Sequence, residues 1–116
     1  MARKKEESLK ADLRQREEEW NRRLSTLLAR GQYGEAAGAV NQWLAENPGS
    51  PAAQDMGSRI SGIQRHLNIY ASAMAENKYP EAADAILNAE KLNPADSNFS
   101  ELRRQIESRR AAARSS

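Results

Sequence analysis

Hydrophobic residues recur along the chain at helical spacing, in five segments separated by Gly, Asn and Pro. The first segment covers about residues 4–30, and the others cover about 33–46, 51–76, 79–92 and 96–110. Residues 111–116 are expected to fray, because the apolar stripe of the last segment stops before them. The pattern predicts an all-α fold of five helices in the order long, short, long, short, medium.

The third segment carries an apolar residue every three or four positions for nearly three heptads. This seam consists of Met56, Ile60, Ile63, Leu67, Tyr70 and Met74. Gly57 and Gly62 lie off the seam, and each costs about 1 kcal/mol relative to Ala inside a helix. We nevertheless expect one unbroken helix. The seam has two interpretations: the core of this chain, which is favoured, or a surface that meets another chain.

The second and fourth segments repeat one another at an offset of 46 residues. Each copy contains Tyr, Glu, Ala-Ala, Ala, a β-branched residue and a closing Asn-Pro, and 15 residues separate the Tyr from the Pro. An internal repeat at a fixed offset indicates stacked helical units. Gly31 and Asn77, which precede the two copies, are predicted left-handed caps of the helices before them.

These residues resemble the tetratricopeptide family, whose repeat combines Gly-x-Tyr-x-x-Ala, a later Ala and a closing Pro. The positions that carry the resemblance are Trp20, Gly31, Tyr33, Ala36, Val40 and Pro48 in one copy, and Asn77, Tyr79, Ala82, Ile86, Ala89 and Pro94 in the other. The family's period is about 34 residues, so the longer period here predicts longer first helices. The resemblance implies a single domain over 1–116, with units at 5–48 and 50–94 and a closing helix over 96–110.

The resemblance also implies protein binding. In the family's pattern the first helices line the groove, which gives Asn21, Ser25 and Leu28 from unit one and Leu67, Ala71 and Met74 from unit two. Helix length adds a second prediction, because a helix of about 14 residues cannot cover one of about 26. Apolar surface is therefore expected to meet the closing helix, a second copy or a ligand helix at Leu9, Leu13, Met56, Ile60 and Ile63. A homo-oligomeric scaffold is the expected assembly.

Charge is spread unevenly along the 116 residues, although the net charge is only +2. Residues 1–30 carry a net charge of +3, residues 31–94 of −3 and residues 95–116 of +2. The five arginines after residue 100 have no aromatic residue among them for base stacking, so nucleic-acid binding by the basic ends is kept as an alternative. A second alternative is a domain of a membrane-tethered complex, with Arg3-Lys4-Lys5 following a lost anchor. The chain has no signal peptide pattern and no apolar run of membrane-spanning length, and we expect it in the cytoplasm.

The sequence predicts no catalytic or metal site. Cys is absent, and His66 is the only histidine, whereas a structural zinc site needs several such ligands. The acidic run Glu17–Glu19 alternates with arginines at the spacing of helical ion pairs. The chain has no glycine motif for binding phosphate. We therefore expect neither enzymatic activity nor a cofactor.

Overall fold

The computed structural model describes the backbone of residues 2–115 and the side chains of residues 11–115. Its helices are α1 (Ala2–Ala29), α2 (Tyr33–Glu46), α3 (Pro51–Ala75), α4 (Tyr79–Leu92) and α5 (Asn98–Ser115). No strand occurs in the part of the chain so described. The predicted all-α fold of five helices, long, short, long, short and medium, is confirmed.

The turns after α1 and α3 have the same geometry. Gly31 has φ 71° and Asn77 has φ 60°, so both predicted left-handed caps are confirmed. The amide of Gln32 donates to the carbonyl oxygen of Leu27 at 2.9 Å, and the corresponding bond after α3 measures 2.8 Å. This pattern satisfies carbonyl groups that the last helical turn leaves without an intrahelical partner. Each long helix therefore ends where the following short helix can fold back on it.

The third helix is unbroken, as expected from the sequence. It starts at the cap residue Ser50, whose hydroxyl accepts a hydrogen bond from the Ala53 amide at 3.2 Å. Pro51 occupies the first helical position, where its missing N–H has no cost. The helix then runs to Ala75 through both internal glycines.

The two glycines of α3 lie at contacts with the short helices. A Cβ atom at Gly57 would lie 3.3 Å from Cγ1 of Val40 on α2. A Cβ atom at Gly62 would lie 3.0 Å from Cδ1 of Leu92 on α4. The side chain of Arg59 also donates to the carbonyl oxygen of Leu92. These glycines let α2 and α4 approach α3, which compensates for their low helix propensity.

The helices pack as a staggered series in which each contacts the next along the chain. The second helix lies against the N-terminal half of α3, and the C-terminal end of α4 reaches only to the middle of α3. The two short helices therefore occupy different lengths of α3. The result is a rod with extents of 77 × 20 × 18 Å.

One hydrophobic cluster runs through the rod. The seam of α3 belongs to it, since Ile60, Ile63 and Met74 are buried and the other three seam residues pack partly buried against the cluster. The favoured interpretation of the seam as core is thus confirmed. The buried residues include Leu24, Leu28, Tyr33, Ala36, Val40, Trp43, Ala53, Ala82, Ile86, Ala89, Phe99 and Ile106.

The last helix is longer than the sequence indicated. The closing helix was expected over 96–110 with a frayed tail, but α5 extends to Ser115. Residues 111–113 are alanines, which have the highest helix propensity, and Arg114 lies in the last turn. The hydroxyl of Ser115 donates to the carbonyl oxygen of Ala111 at 3.1 Å. The described helix therefore continues five residues past the expected end at 110, and residue 116 lies outside the described residues.

Candidate functional site

Several predicted interface residues belong to the core. Leu28 is 3% exposed, Ile60 1%, Ile63 0% and Met74 7%, so the chain itself covers almost all of their surface, and only Ile60 and Met74 of these border a cavity. The physical reason on α3 is that the two short helices divide its length and together cover its apolar seam. Leu28 lies on α1 next to Asn93, which donates a hydrogen bond to its carbonyl oxygen. Their prediction as interface residues is corrected accordingly. The remaining candidates are exposed at Asn21, Ser25 and Ala71, half-buried at Met56 and Leu67, and outside the described side chains at Leu9.

The N-terminal part of α1 extends beyond α2. Side chains from residue 11 to 16 are exposed, and Leu13 retains 49% of its surface. Among the described side chains of α1, the first with polar contacts to the rest of the chain is Glu17, which accepts hydrogen bonds from Ser50 Oγ at 2.6 Å and Asn47 Nδ2 at 3.5 Å. We call residues 2–16 the α1 extension. At about 1.5 Å per residue it is roughly 22 Å long.

The base of the α1 extension is fixed by two tryptophans. The rings of Trp20 and Trp43 stack with centroids 6.3 Å apart and an interplanar angle of 8°. Trp20 Nε1 donates to Glu46 at 3.1 Å, and the Arg23 guanidinium lies 5.5 Å from the Trp20 ring centroid. Because Trp43 is almost fully buried, this stack anchors α1 on α2 and is a structural element.

A buried polar cluster joins the α1–α2 turn to the α4–α5 turn. The Tyr33 hydroxyl donates to Asp96 Oδ2 at 2.6 Å and accepts a hydrogen bond from Asn93 Nδ2 at 3.0 Å. Asn93 Nδ2 also donates to the Leu28 carbonyl oxygen at 2.9 Å, and Asp96 Oδ1 accepts from the Asn98 amide at 2.9 Å. We call Tyr33, Asn93 and Asp96 the turn cluster. It fixes the axial offset between the two halves of the rod.

Burial and the hydrogen bond to Asp96 raise the pKa of Tyr33 well above its usual value near 10. The equivalent Tyr79 is more exposed, and its hydroxyl donates to Asn77 Oδ1 within its own turn at 3.1 Å. The two repeat tyrosines thus make different contacts. Nothing in the sequence relates Asp96 to a position 63 residues earlier, so this contact could not be predicted from it.

The other repeat residues lie in the hydrophobic core or in the turns between helices. Ala36 and Ala82 are fully buried at 0% exposure, which allows each short helix to approach its neighbour closely. Pro48 and Pro94 lie exposed in the turns that follow the short helices. His66 is half-buried on α3. Over the described residues, no group of three or more His, Asp or Glu is placed to hold a metal ion.

An open groove follows α3 along the face between the two short helices. A cavity of about 540 Å³ lies against α2, and a second of about 300 Å³ lies near the start of α4. Arg65 lines both cavities, which therefore adjoin at this residue. We call them together the α3 groove. Its central residues are spaced four and three apart and are all exposed: Gln54, Ser58, Ser61, Arg65, Asn68 and Ser72.

The α3 groove is poor in charge compared with other exposed helix faces. Arg65 is the only charged residue in its central row, whereas α1 exposes arginines and glutamates at most positions between 14 and 23. Three serines occupy that row although Ser is only a moderate helix former. The cores of protein interfaces are depleted in charged residues. The spacing of these uncharged polar residues is a signal that sequence inspection could have used.

Most of the basic residues in α5 are paired with carboxylates. Arg103 pairs with Glu90 on α4, while Arg104 lies 3.5 Å from Glu101 and Arg110 lies 3.8 Å from a Glu107 oxygen. These ion pairs reduce the positive charge that α5 offers to a phosphate backbone. No helix within residues 2–115 is long and apolar enough to cross a membrane.

Comparisons with protein families, with curated proteins and with solved structures found no match to this chain. The resemblance to the tetratricopeptide family therefore stays a prediction from the sequence. The candidate site is defined by geometry alone: the α1 extension and the α3 groove.

Proposed function

We propose that this chain is a non-enzymatic protein-interaction module of tetratricopeptide-like type, which assembles as a homo-oligomeric scaffold in the cytoplasm through its long helices. The α1 extension is the observation that carries this proposal. It continues the helix past Glu17, which accepts a hydrogen bond from Ser50, and it keeps a half-exposed leucine, Leu13.

The packed part of α1 supplies the nucleus for the α1 extension. A helical segment without packing is nevertheless marginal in water, because packing supplies most helical stability in proteins. The extension also exposes apolar surface at Leu13 without a described neighbour that covers it fully. Docking against protein would stabilise the helix and remove this surface from water.

The test is the mass in solution, measured by light scattering from low to high micromolar concentration. We expect the wild type to exceed the monomer mass of 12.9 kDa at the high end of this range. The double variant Leu9→Glu/Leu13→Glu should remain monomeric, because it places two charges on the apolar side of the α1 extension.

The matched control is Ala11→Glu/Gln15→Glu, which adds as many glutamates to the opposite side of the same helix. It should assemble like the wild type. A wild type that remains monomeric throughout would overturn self-assembly. Equal assembly of the two double variants would remove the α1 extension from the interface.

A further inference from the structure

We propose that the α3 groove binds the α1 extension of a second copy of this chain, in antiparallel orientation. This inference rests on the proposed function and names the two surfaces that meet. It is carried by the fit between the lower part of the groove and the sequence of the extension.

The lower part of the α3 groove combines an apolar patch with an acidic end. Ile69 keeps 46% of its surface exposed and borders buried Ala73. Glu76 and Glu81, from the end of α3 and the first turn of α4, close the groove at this end. Within the chain Glu76 pairs with Lys78 at 2.9 Å, and both side chains are exposed. A helix docked there would bury the isoleucine and add cations beside the two carboxylates.

The first ten or so residues of the α1 extension have chemistry complementary to this end of the groove. Residues 2–16 contain six Lys or Arg and three Asp or Glu, which gives a net charge of +3. Three of the cations, Arg3, Lys4 and Lys5, lie at its beginning, and Leu9 and Leu13 are its large apolar residues. These two leucines lie on one side of a helix, because residues four apart share a face.

The spacing of the basic and apolar residues in the α1 extension matches that of the acidic and apolar residues in the groove only when the two helices are antiparallel. With Lys4 beside Glu76 and the helices antiparallel, Leu9 and Leu13 lie roughly 8 and 14 Å along the groove. Ile69 lies roughly 10 Å from Glu76 along α3, between the two leucines. A parallel orientation would carry the basic start of the extension away from both glutamates.

The antiparallel arrangement is reciprocal. If the extension of one copy occupies the groove of its partner, the same two-fold operation places the partner's extension in the first groove. Such an interface is isologous and closes on itself. The expected assembly is therefore a dimer, and the charge pairs at its ends should make its affinity fall as salt concentration rises.

Because the chain has no cysteine of its own, disulfide formation between two introduced cysteines can test this arrangement without competing thiols. In the proposed register, position 12 of one copy lies level with position 68 of the other. Asp12→Cys and Asn68→Cys, both exposed in the wild type, are mixed and oxidised. We expect a covalent dimer of twice 12.9 kDa in the mixture and little from either variant alone.

The matched control replaces Asn68→Cys by Gln42→Cys, an exposed residue of α2 outside the groove. It should give no rapid trapping with Asp12→Cys. A charge exchange provides a second measurement: Glu76→Lys/Glu81→Lys should weaken the wild-type dimer roughly tenfold, since exposed pairs contribute up to about 1 kcal/mol each. Adding Lys4→Glu/Lys5→Glu should restore it.

The outcomes separate this inference from the proposed function. A monomeric wild type would overturn both. A different result would be an oligomeric wild type with no disulfide between Cys variants at positions 12 and 68 and no effect of the glutamate changes. It would show that the α1 extension does not bind in the α3 groove, while self-assembly would still hold. Disulfide formation that is equally fast with Gln42→Cys would indicate random collision, and it would also exclude the α3 groove as the binding site of the α1 extension.

Discussion

Replacing Tyr33 by Phe removes the hydroxyl from the turn cluster and leaves the ring in place. Asp96 then loses its 2.6 Å donor and keeps the Asn98 amide as its described partner. Asn93 retains its bond to the Leu28 carbonyl oxygen. The perturbation therefore concentrates on one buried carboxylate, which is 4% exposed as a residue.

The expected magnitude follows from that change. A hydrogen bond to a charged group contributes about 1.5–3 kcal/mol, and a buried acceptor that loses its donor adds a desolvation cost. We expect Tyr33→Phe to lower the free energy of unfolding by roughly 2–3 kcal/mol. For 116 residues this corresponds to a fall in melting temperature of about 8–12 °C.

The repeat supplies the control. Tyr79→Phe removes the hydroxyl at the equivalent position, where the bond to Asn77 is exposed and local. Its cost should stay below about 1 kcal/mol. Both variants can be measured by urea unfolding followed by circular dichroism. Equal losses in the two variants would refute the argument that the turn cluster is a buried link between the halves of the rod.

Alkaline pH gives an independent test of the same cluster. Because the folded pKa of Tyr33 is raised, its contribution is complete below the unfolded value near 10 and decreases as pH rises through the folded pKa. The unfolded chain releases the proton first, so the wild type should lose stability above about pH 10. Tyr33→Phe lacks this component and should show a shallower decline. Identical slopes would contradict it.

Two further predictions concern packing and backbone conformation. Ile63→Ala should lower the free energy of unfolding by roughly 2–4 kcal/mol, because Ile63 has 0% exposure. Ile69→Ala on the same helix should lower it by less than about 1 kcal/mol in the monomer. Midpoints of urea unfolding compare the two variants, and a similar loss of stability in both would contradict the burial pattern. Gly38→Ala should stabilise α2 by up to about 1 kcal/mol, since a Cβ there meets no atom within 4 Å. Gly31→Ala should destabilise by roughly 1–2 kcal/mol, because its φ is 71° and its Cβ would lie 2.9 Å from an Asn98 side-chain atom; melting temperatures moving the same way in both would refute this.

Helix number, order and the turn conformations could be predicted from the sequence because their causes are local. Gly31 and Asn77 end helices through their own backbone conformation, and Pro51 starts α3 by its position after Ser50. The end of α5 was missed for an equally local reason. The apolar spacing stops before residue 111, but three alanines of high helix propensity continue the helix beyond that point.

The stagger and the candidate site depend on contacts between distant residues, and local pattern does not contain them. The seam showed that α3 has an apolar face, but not that α2 and α4 would divide its length between Gly57 and Gly62. Leu28 and Met74, which the family resemblance implied for a groove, are buried instead. The division leaves the α3 groove open alongside the two short helices.

The staggered rod has a hydrodynamic consequence. Its radius of gyration is 19.0 Å, whereas a compact chain of 116 residues would have about 13 Å. A compact particle of twice this length would have only about 17 Å. Because elongation also increases the hydrodynamic radius, a single chain of this shape should elute from a gel-filtration column ahead of a globular protein of its own mass, so elution volume alone would overstate its mass.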